Sequence, residues 1–537
     1  MTHKNGLTRR QFVGSSFIPA VAAGALSSTA ATGHGEESSS AKTAESITIF
    51  SFDDVSIPYK QNLKLAIHQP KKHPNNPVLA RGKEGEPDSY RAQFYGSIIR
   101  ENGTFRMWYI AIDREAIKSV SNKTAYKGCM AAYAESDDGI HWVKPKLGLV
   151  EYRGSKENNL VLIDPPDVTG LTLVILHEPD DPEPDRRYKM IHQIRWEEAP
   201  AYGWTTSVPL FSADGFRWKL QTRGVPKNYA ISTENMPLPP EHTEQMGLYK
   251  WNGAYYLTGQ QLSPWVHLPD GTPCGRVMTS FHSHDFVNWS HAKSFAYMRD
   301  GYVPKPQAQG KESHSPASIW HRGNVLLGLH GLWEGSENVA DRRMPLGLLI
   351  SNDGIKFREP VIDSVFVPAG EDGEWDQRGL ITGQGFEQIG DETYIWYGNW
   401  DLSAGATGSE TYGGVGLLTM RRDGFGSLSP LEKDPPSQLI TLPFAVPANG
   451  ELTVNADGLS PDATLRIELL DEFERPLAAF AEKNAVVVTE SGVQIPVRWS
   501  TGDTADLSGQ TIRVRIHFEG PQREGIQFYA LYFNAHE

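Results

Sequence analysis

One tight-turn sequence is written four times in this chain, and a fifth time in a degenerate form. Ser136–Trp142 reads SDDGIHW, Ser212–Trp218 SADGFRW, Ser283–Trp289 SHDFVNW and Ser351–Phe357 SNDGIKF; the degenerate copy, RRDGF, ends at Phe425. Their aspartates, Asp138, Asp214, Asp285, Asp353 and Asp423, follow one another at intervals of 76, 71, 68 and 70 residues. A period of about 70 residues with strand-like sequence between copies predicts a radial array of small sheets. Ser and Asp oxygens can take backbone N–H groups within such a turn, Gly tolerates positive φ, and the trailing aromatic can pack on a neighbouring sheet. The boxes therefore read as structural.

A second repeat lies upstream of each box. RENGTFRMWYI (Arg100–Ile110), DRRYKMIHQI (Asp185–Ile194), KWNGAYYLTG (Lys250–Gly259), WHRGNVLLGL (Trp320–Leu329) and QIGDETYIWYG (Gln388–Gly398) each place a turn residue before an aromatic or aliphatic strand. Each unit thus reads strand, tight turn, strand, long loop, strand, box turn, strand. Five four-stranded units predict an all-β fold, a five-bladed β-propeller over residues 46–436. Both tight turns of a unit emerge on one face, so the long loops and the starts of the innermost strands share the other. Function is expected there.

After LSPLEKDPPSQ the pattern changes. Residues 437–537 alternate apolar and polar in ELTVNADG, TLRIELLD, IRVRIHFEG and IQFYALYF, which predicts a C-terminal β-sandwich domain. At the other end, Arg9 and Arg10 precede a modest apolar stretch, Phe12–Leu26, and small residues near Ala30. That stretch is too short and too rich in Ala, Gly and Ser to span a membrane. Residues 1–31 read as a twin-arginine export signal, with 32–45 as a Ser/Glu-rich linker; the expected location is periplasmic or extracellular. Removing Lys4, Arg9 and Arg10 with that segment takes the formal charge from −14 to −17. An acidic protein without a basic run is a poor partner for nucleic acid or anionic membranes. Cys129 and Cys274 are expected to be free, buried thiols, because twin-arginine substrates fold before export. The chain is expected to act as a monomer or small homo-oligomer.

With the repeats and the third-unit sequence in view, the chain resembles the furanosidase-type five-bladed propeller glycoside hydrolases of families 32, 43, 62 and 68. The family 130 phosphorylases and mannosidases are more distant relatives. A propeller followed by a sandwich is similar to the family 32 layout. Family 43 members show E-x-P-x-[LIV]-[YF]-K-x-x-G-x-Y-Y-[LM] in the third blade, and Glu244 to Leu257 keeps that spacing with Met246 in place of the proline. The resemblance implies that Glu244 is the general acid, at the start of an innermost strand and facing the axial cavity.

Other motifs of those families are missing. The first-blade carboxylate is absent from its place; counting back from Gly103 reaches Phe94 and Tyr95. Asp88 in GEPDSY is the nearest acid and the expected partner of Glu244, with Asp376 and Asp167 as further candidates. Tyr95 is a nucleophile, by analogy with sialidases, or else a sugar platform or packing residue. Counting back from Gly323 gives His314, which can bond substrate or hold a water or a calcium, or be a satisfied core histidine. Arg378 can grip a carboxylate or a hydroxyl pair, or form a structural pair with Asp376. Trp333 in GLWEGSEN and Trp400 in GNWDLS lie in loops whose mixture of Trp, Asp, Glu and Asn suits a sugar-binding rim.

The sequence has no phosphate-binding glycine loop, HExxH, CxxC or G-x-S-x-G, and the box is not the sialidase S-x-D-x-G-x-T-W. No cofactor and no catalytic metal are expected, a structural calcium being the one ion the resemblance allows. The expectation is an exported glycoside hydrolase acting on a plant, algal or microbial glycan. Two alternatives stand beside it: a non-hydrolytic carbohydrate-binding propeller, and a lyase or tyrosine-nucleophile glycosidase on the same scaffold.

Overall fold

The computed structural model describes residues 46–113, 128–164, 170–195, 205–221, 244–261, 270–271, 275–299, 310–336, 338, 341–400, 413–448 and 450–535. Their regular structure is strand with a few short 3-10 turns, so the protein is all-β. Residues 1–31, expected to be an export signal, lie outside them. Among the described residues no helix is long and apolar enough to cross a membrane.

Five antiparallel meanders follow one another along the chain. The first runs Arg91–Glu101, Thr104–Ile112, Cys129–Ser136. In the second, Leu173–His177, Tyr188–Arg195, Thr205–Ser212 and Arg217–Leu220 are joined by a parallel edge, Leu162–Asp164. Glu244–Trp251, Ala254–Gln261, Val277–Ser283 and Ser290–Tyr297 make the third; Gly310–His321, Leu326–Gly335, Leu346–Ser351 and Val365–Val367 make the fourth. The fifth has Leu380–Ile389, Glu392–Asn399 and Gly414–Arg421. Its outer edge is taken by strands from near the start of the chain, Lys71–Lys72 and Leu79–Ala80. The hairpins follow from local chemistry: Asn102-Gly103 and Asn252-Gly253 have positive φ at both positions, the turn geometry that matches strand twist.

Buried apolar side chains lie between successive sheets. One cluster joins Trp108 and Tyr133 of the first sheet to Met190 and Leu210 of the second. Others join Ile191 to Leu257, Tyr249 to Ile319, and Leu348 to Ile395. A further cluster sets Trp396 and Leu417 of the fifth sheet against Phe105 and Ala132 of the first, so the succession of cores closes on itself.

The box turns reinforce these contacts. Ser136 Oγ takes the Gly139 N–H (2.9 Å), and Asp138 Oδ1 takes those of Ile140 and His141 (both 2.8 Å). The same bonds recur at Ser212/Asp214 and Ser351/Asp353. Each glycine carbonyl then accepts from an aromatic of the preceding sheet: Trp396 Nε1 to Gly139, Trp108 Nε1 to Gly215, Tyr249 OH to Gly354. The fifth box is degenerate for a topological reason. The strand leaving it, Gly426–Pro430, departs from the fifth sheet and pairs with Leu63–Ile67. Its Asp423 carboxylate is bound by Arg322 and by the Tyr532 hydroxyl.

The sequence after residue 437 forms two six-stranded sheets that share one apolar core. They also recruit strands from outside 437–537. Ile47–Phe50, Leu63–Ile67 and Gly426–Pro430 enter one sheet, and Tyr59–Gln61 enters the other. Ile47, Ile49, Ile57 and Leu428 therefore belong to the same core as Leu452, Leu465 and Val514. Cys129 is buried, and that burial pushes its thiol pKa up to about 12; Cys274 lies outside the described residues.

Candidate active site

Four innermost strands are interrupted at similar depth. Pairing skips from Gln93 to Ser97, Gln245 to Gly247, His314 to Ser318 and Thr382 to Phe386. A bulge releases residues from the ladder and re-aims them. In the first sheet it turns Phe94 into the core, where a side chain on Gly383 would strike its ring. Tyr95 joins Met246, Trp333, Met344 and Ile381 in a separate buried cluster, with Trp400 packed against it. The His314 ring stacks on Trp333 (5.3 Å between centroids, 25°) and lies 5.0 Å from Trp400. The structure thus brings together Tyr95, His314, Trp333 and Trp400, residues that come from the first, fourth and fifth sheets.

The Gln384 side chain, within the fifth-sheet bulge, ties the inner strands to each other. Its Oε1 accepts from Leu248 N (2.9 Å) and its Nε2 donates to Leu248 O (2.8 Å), joining the fifth sheet to the third.

Glu244 opens its strand, half-buried, opposite Gln260, whose Nε2 donates to Glu244 Oε2 at 3.4 Å. On the fourth sheet Glu312 lies opposite Trp333 and two residues before His314, hence on the same side of the strand. Glu312 is buried; its Oε2 pairs with Arg276 Nη1 at 2.8 Å, and that guanidinium lies 5.2 Å over the Trp333 ring. Arg299 fixes this stretch from behind, donating to the Trp333 carbonyl (2.9 Å) while bound to Asp363.

Asp88 and Asp376 sit in twin loops. GKEGEPD (82–88) and GEDGEWD (370–376) share G-x-x-G-E-x-D. In each, the first glycine N–H bonds the aspartate carbonyl, and the loop glutamate accepts the N–H three residues before it. Asp88 Oδ2 takes the Tyr109 hydroxyl (2.9 Å) and Lys144 Nζ (2.5 Å); Asp376 Oδ2 takes the Tyr397 hydroxyl (2.7 Å) and Lys72 Nζ (2.8 Å). Asn159 and Asn76 complete the sets by donating to the two tyrosines. Burial, then the adjacent aspartate, raises both phenol pKa values. The asparagines lie in a further echo, NNPVL (75–79) and NNLVL (158–162). The two carboxylates occupy corresponding places in the first and fifth sheets, each turned to its own second strand.

Arg378 has φ +67°; its carbonyl takes the Met344 N–H (2.8 Å) and its guanidinium reaches Asp372 at 3.2 Å. Asp167 lies outside the described residues. Among the described residues no cluster of three or more His, Cys, Asp or Glu is placed to hold a metal ion.

The chain is similar in structure to glycoside hydrolases. One is a glycoside hydrolase of the GH130 family of mannoside phosphorylases that targets β-1,2-mannosidic linkages in Candida mannan (16% identity, 66% of this chain and 94% of that one, TM-score 0.44). Another is a putative glycoside hydrolase from Parabacteroides distasonis (15%, 66% and 97%, TM-score 0.43). The chain is also similar in structure to an N-acetylgalactosamine deacetylase from F. plautii (12%, 67% and 96%, TM-score 0.40). No family model and no curated protein sequence matches the chain.

Sequence reasoning passed over Glu312 and Arg276. Glu312 stands in KESHSPASIW (311–320), two positions before the His314 that the sequence analysis singled out. Strand alternation alone could have placed the two on one side. The signal for Asp88 and Asp376 was the twin loop, visible once the two heptapeptides are aligned.

Proposed function

We propose that this chain is an exported glycoside hydrolase acting where Tyr95, His314, Trp333 and Trp400 converge. The observation behind this reading is that convergence itself: aromatic rings from separate sheets, with Glu244 opening one innermost strand and Glu312 bordering Trp333. Such rings suit the C–H faces of a sugar, and carboxylates suit its hydroxyls and the proton its leaving oxygen needs. In this reading the five meanders are the blades of a propeller over 46–436, closed by residues 71–80, and the two terminal sheets are a sandwich. Glu244 is the general acid, and the spacing of its motif is the reason for placing the chain near families 32, 43, 62 and 68. Asp88 and Asp376 remain its candidate partners, as base or nucleophile, at the cost of their lysine contacts. Residues 1–31 direct export.

The engagement of both aspartates by Lys and Tyr favours a second reading, a propeller that binds carbohydrate without cleaving it. Release from a glycan array by the mature protein, from residue 32, beside Glu244→Gln separates the two. Release by wild type alone is the expected result; binding without release by both proteins would replace hydrolysis with recognition.

A further inference from the structure

We infer that Glu312 and Arg276 form a recognition pair for a sugar hydroxyl at this site, and that the glycan is uncharged there. The inference rests on the carbohydrate reading above. Glu312 uses one oxygen for Arg276; among the described residues nothing donates to the other, Oε1, although it is buried. Arg276 is complementary: Nη1 holds Glu312, and the buried Nε has no acceptor among the described residues. A buried polar atom without a partner is costly, and native proteins keep few of them. Here an acceptor and a donor are left open on two groups bonded to each other, beside Trp333.

The pair is held rigidly. Glu312 lies in register with Trp333, and Arg299 also reaches the Glu312 carbonyl (3.5 Å). Preorganised groups of this kind lose little freedom when a ligand arrives. A carboxylate oxygen only accepts and a guanidinium N–H only donates, so the matching ligand group is one that both donates and accepts. A sugar hydroxyl does so. An anionic sugar fits poorly, because the open carboxylate oxygen repels it. Nearby cations already face carboxylates: Arg276 pairs with Glu312 and Arg378 with Asp372, while Arg299 and Lys311 share Asp363. Arg342 lies 6.0 Å over Trp333 and spends its Nε on the Ser336 carbonyl.

The test is a tryptophan-fluorescence titration of the mature protein. The probes are neutral gluco-, manno-, galacto-, xylo- and arabino-oligosaccharides, beside oligogalacturonates and oligoglucuronates. A neutral probe is expected to bind, and Glu312→Gln to weaken it about 10- to 100-fold, the loss for one hydrogen bond to a charged group. Against one monodeoxy analogue of that probe the difference between wild type and Glu312→Gln should vanish, which a merely structural role of Glu312 would not produce. Arg276→Lys, which keeps the charge but not the Nε donor, is read the same way and serves if Glu312→Gln does not fold. Unchanged affinity in the variants, or binding of acidic probes alone, overturns the inference while leaving the carbohydrate reading in place. No binding of any probe to wild type overturns both.

Discussion

At Phe286 one box turn holds a phenylalanine at φ +65°, where the other full copies hold glycine at +74° to +78°. Left-handed backbone costs an L-residue roughly 1–2 kcal/mol. The offset is packing: Phe286 is fully buried, with ring centroids 5.2 Å from Tyr255, 5.5 Å from Trp289 and 5.6 Å from Phe211. Phe286→Gly should therefore relax the turn and still lose about 2 kcal/mol, measured by denaturant unfolding. His192 carries a different prediction. Burial pushes its pKa down to about 4, against the opposing bond from Nδ1 to the Thr172 carbonyl. The unfolded histidine, near 6.5, binds the proton more tightly, so this contribution is present above about pH 6.5 and is lost as pH falls towards 4. His192→Gln, which can still donate to that carbonyl, should flatten the fall in unfolding free energy across that window. The boxes were legible because a turn is satisfied by its own residues. Glu312 and Arg276 were not, because they are 36 positions apart and meet only across neighbouring sheets.

For the elements, counting residues failed where the strands bulge. Stepping back from the hairpin glycine set Phe94, Glu244 and His314 at one level. The ladder resumes four residues beyond Gln93 and His314 but two beyond Gln245, so these positions are not equivalent. Bulges leave little trace in hydrophobic alternation, which is why the inward side chains had to be read from the structure. The twin loops make a testable pair. Lys72 and Lys144 each reach a nearly fully buried aspartate from a partly exposed position. Lys72→Met and Lys144→Met should each cost about 2 kcal/mol, less than for a fully buried pair because water reaches the lysine side. Their near-equality in denaturant unfolding is the check; a large effect in one alone would contradict the equivalence of the loops. Gln384→Ala, leaving both Leu248 backbone groups without the amide, should cost about 1–3 kcal/mol by the same measurement.

For the whole molecule, the boundary at 437 cannot be cut cleanly. Residues 47–67 and 426–430 complete the terminal sheets, so a fragment of residues 46–436 would expose Ile47, Ile49, Ile57 and Leu428. It is expected to be insoluble or to lack a cooperative unfolding transition, whereas residues 46–537 should fold; a soluble, cooperatively melting 46–436 would contradict this. The sequence by itself determined whatever is satisfied within a few residues: the box turns, the Asn-Gly hairpins, the strand alternation, and hence an all-β chain built on a period of about 70 residues. Only the tertiary structure decided what depends on distant partners. It placed residues 71–80 on the fifth sheet, gave the fifth box's strand to another sheet, and set Tyr95 beside Trp333 and Arg276 on Glu312. The physical reason is range: turn and hairpin chemistry is local, whereas a sheet edge, a core or a buried charge takes whichever partner the closed chain brings to it.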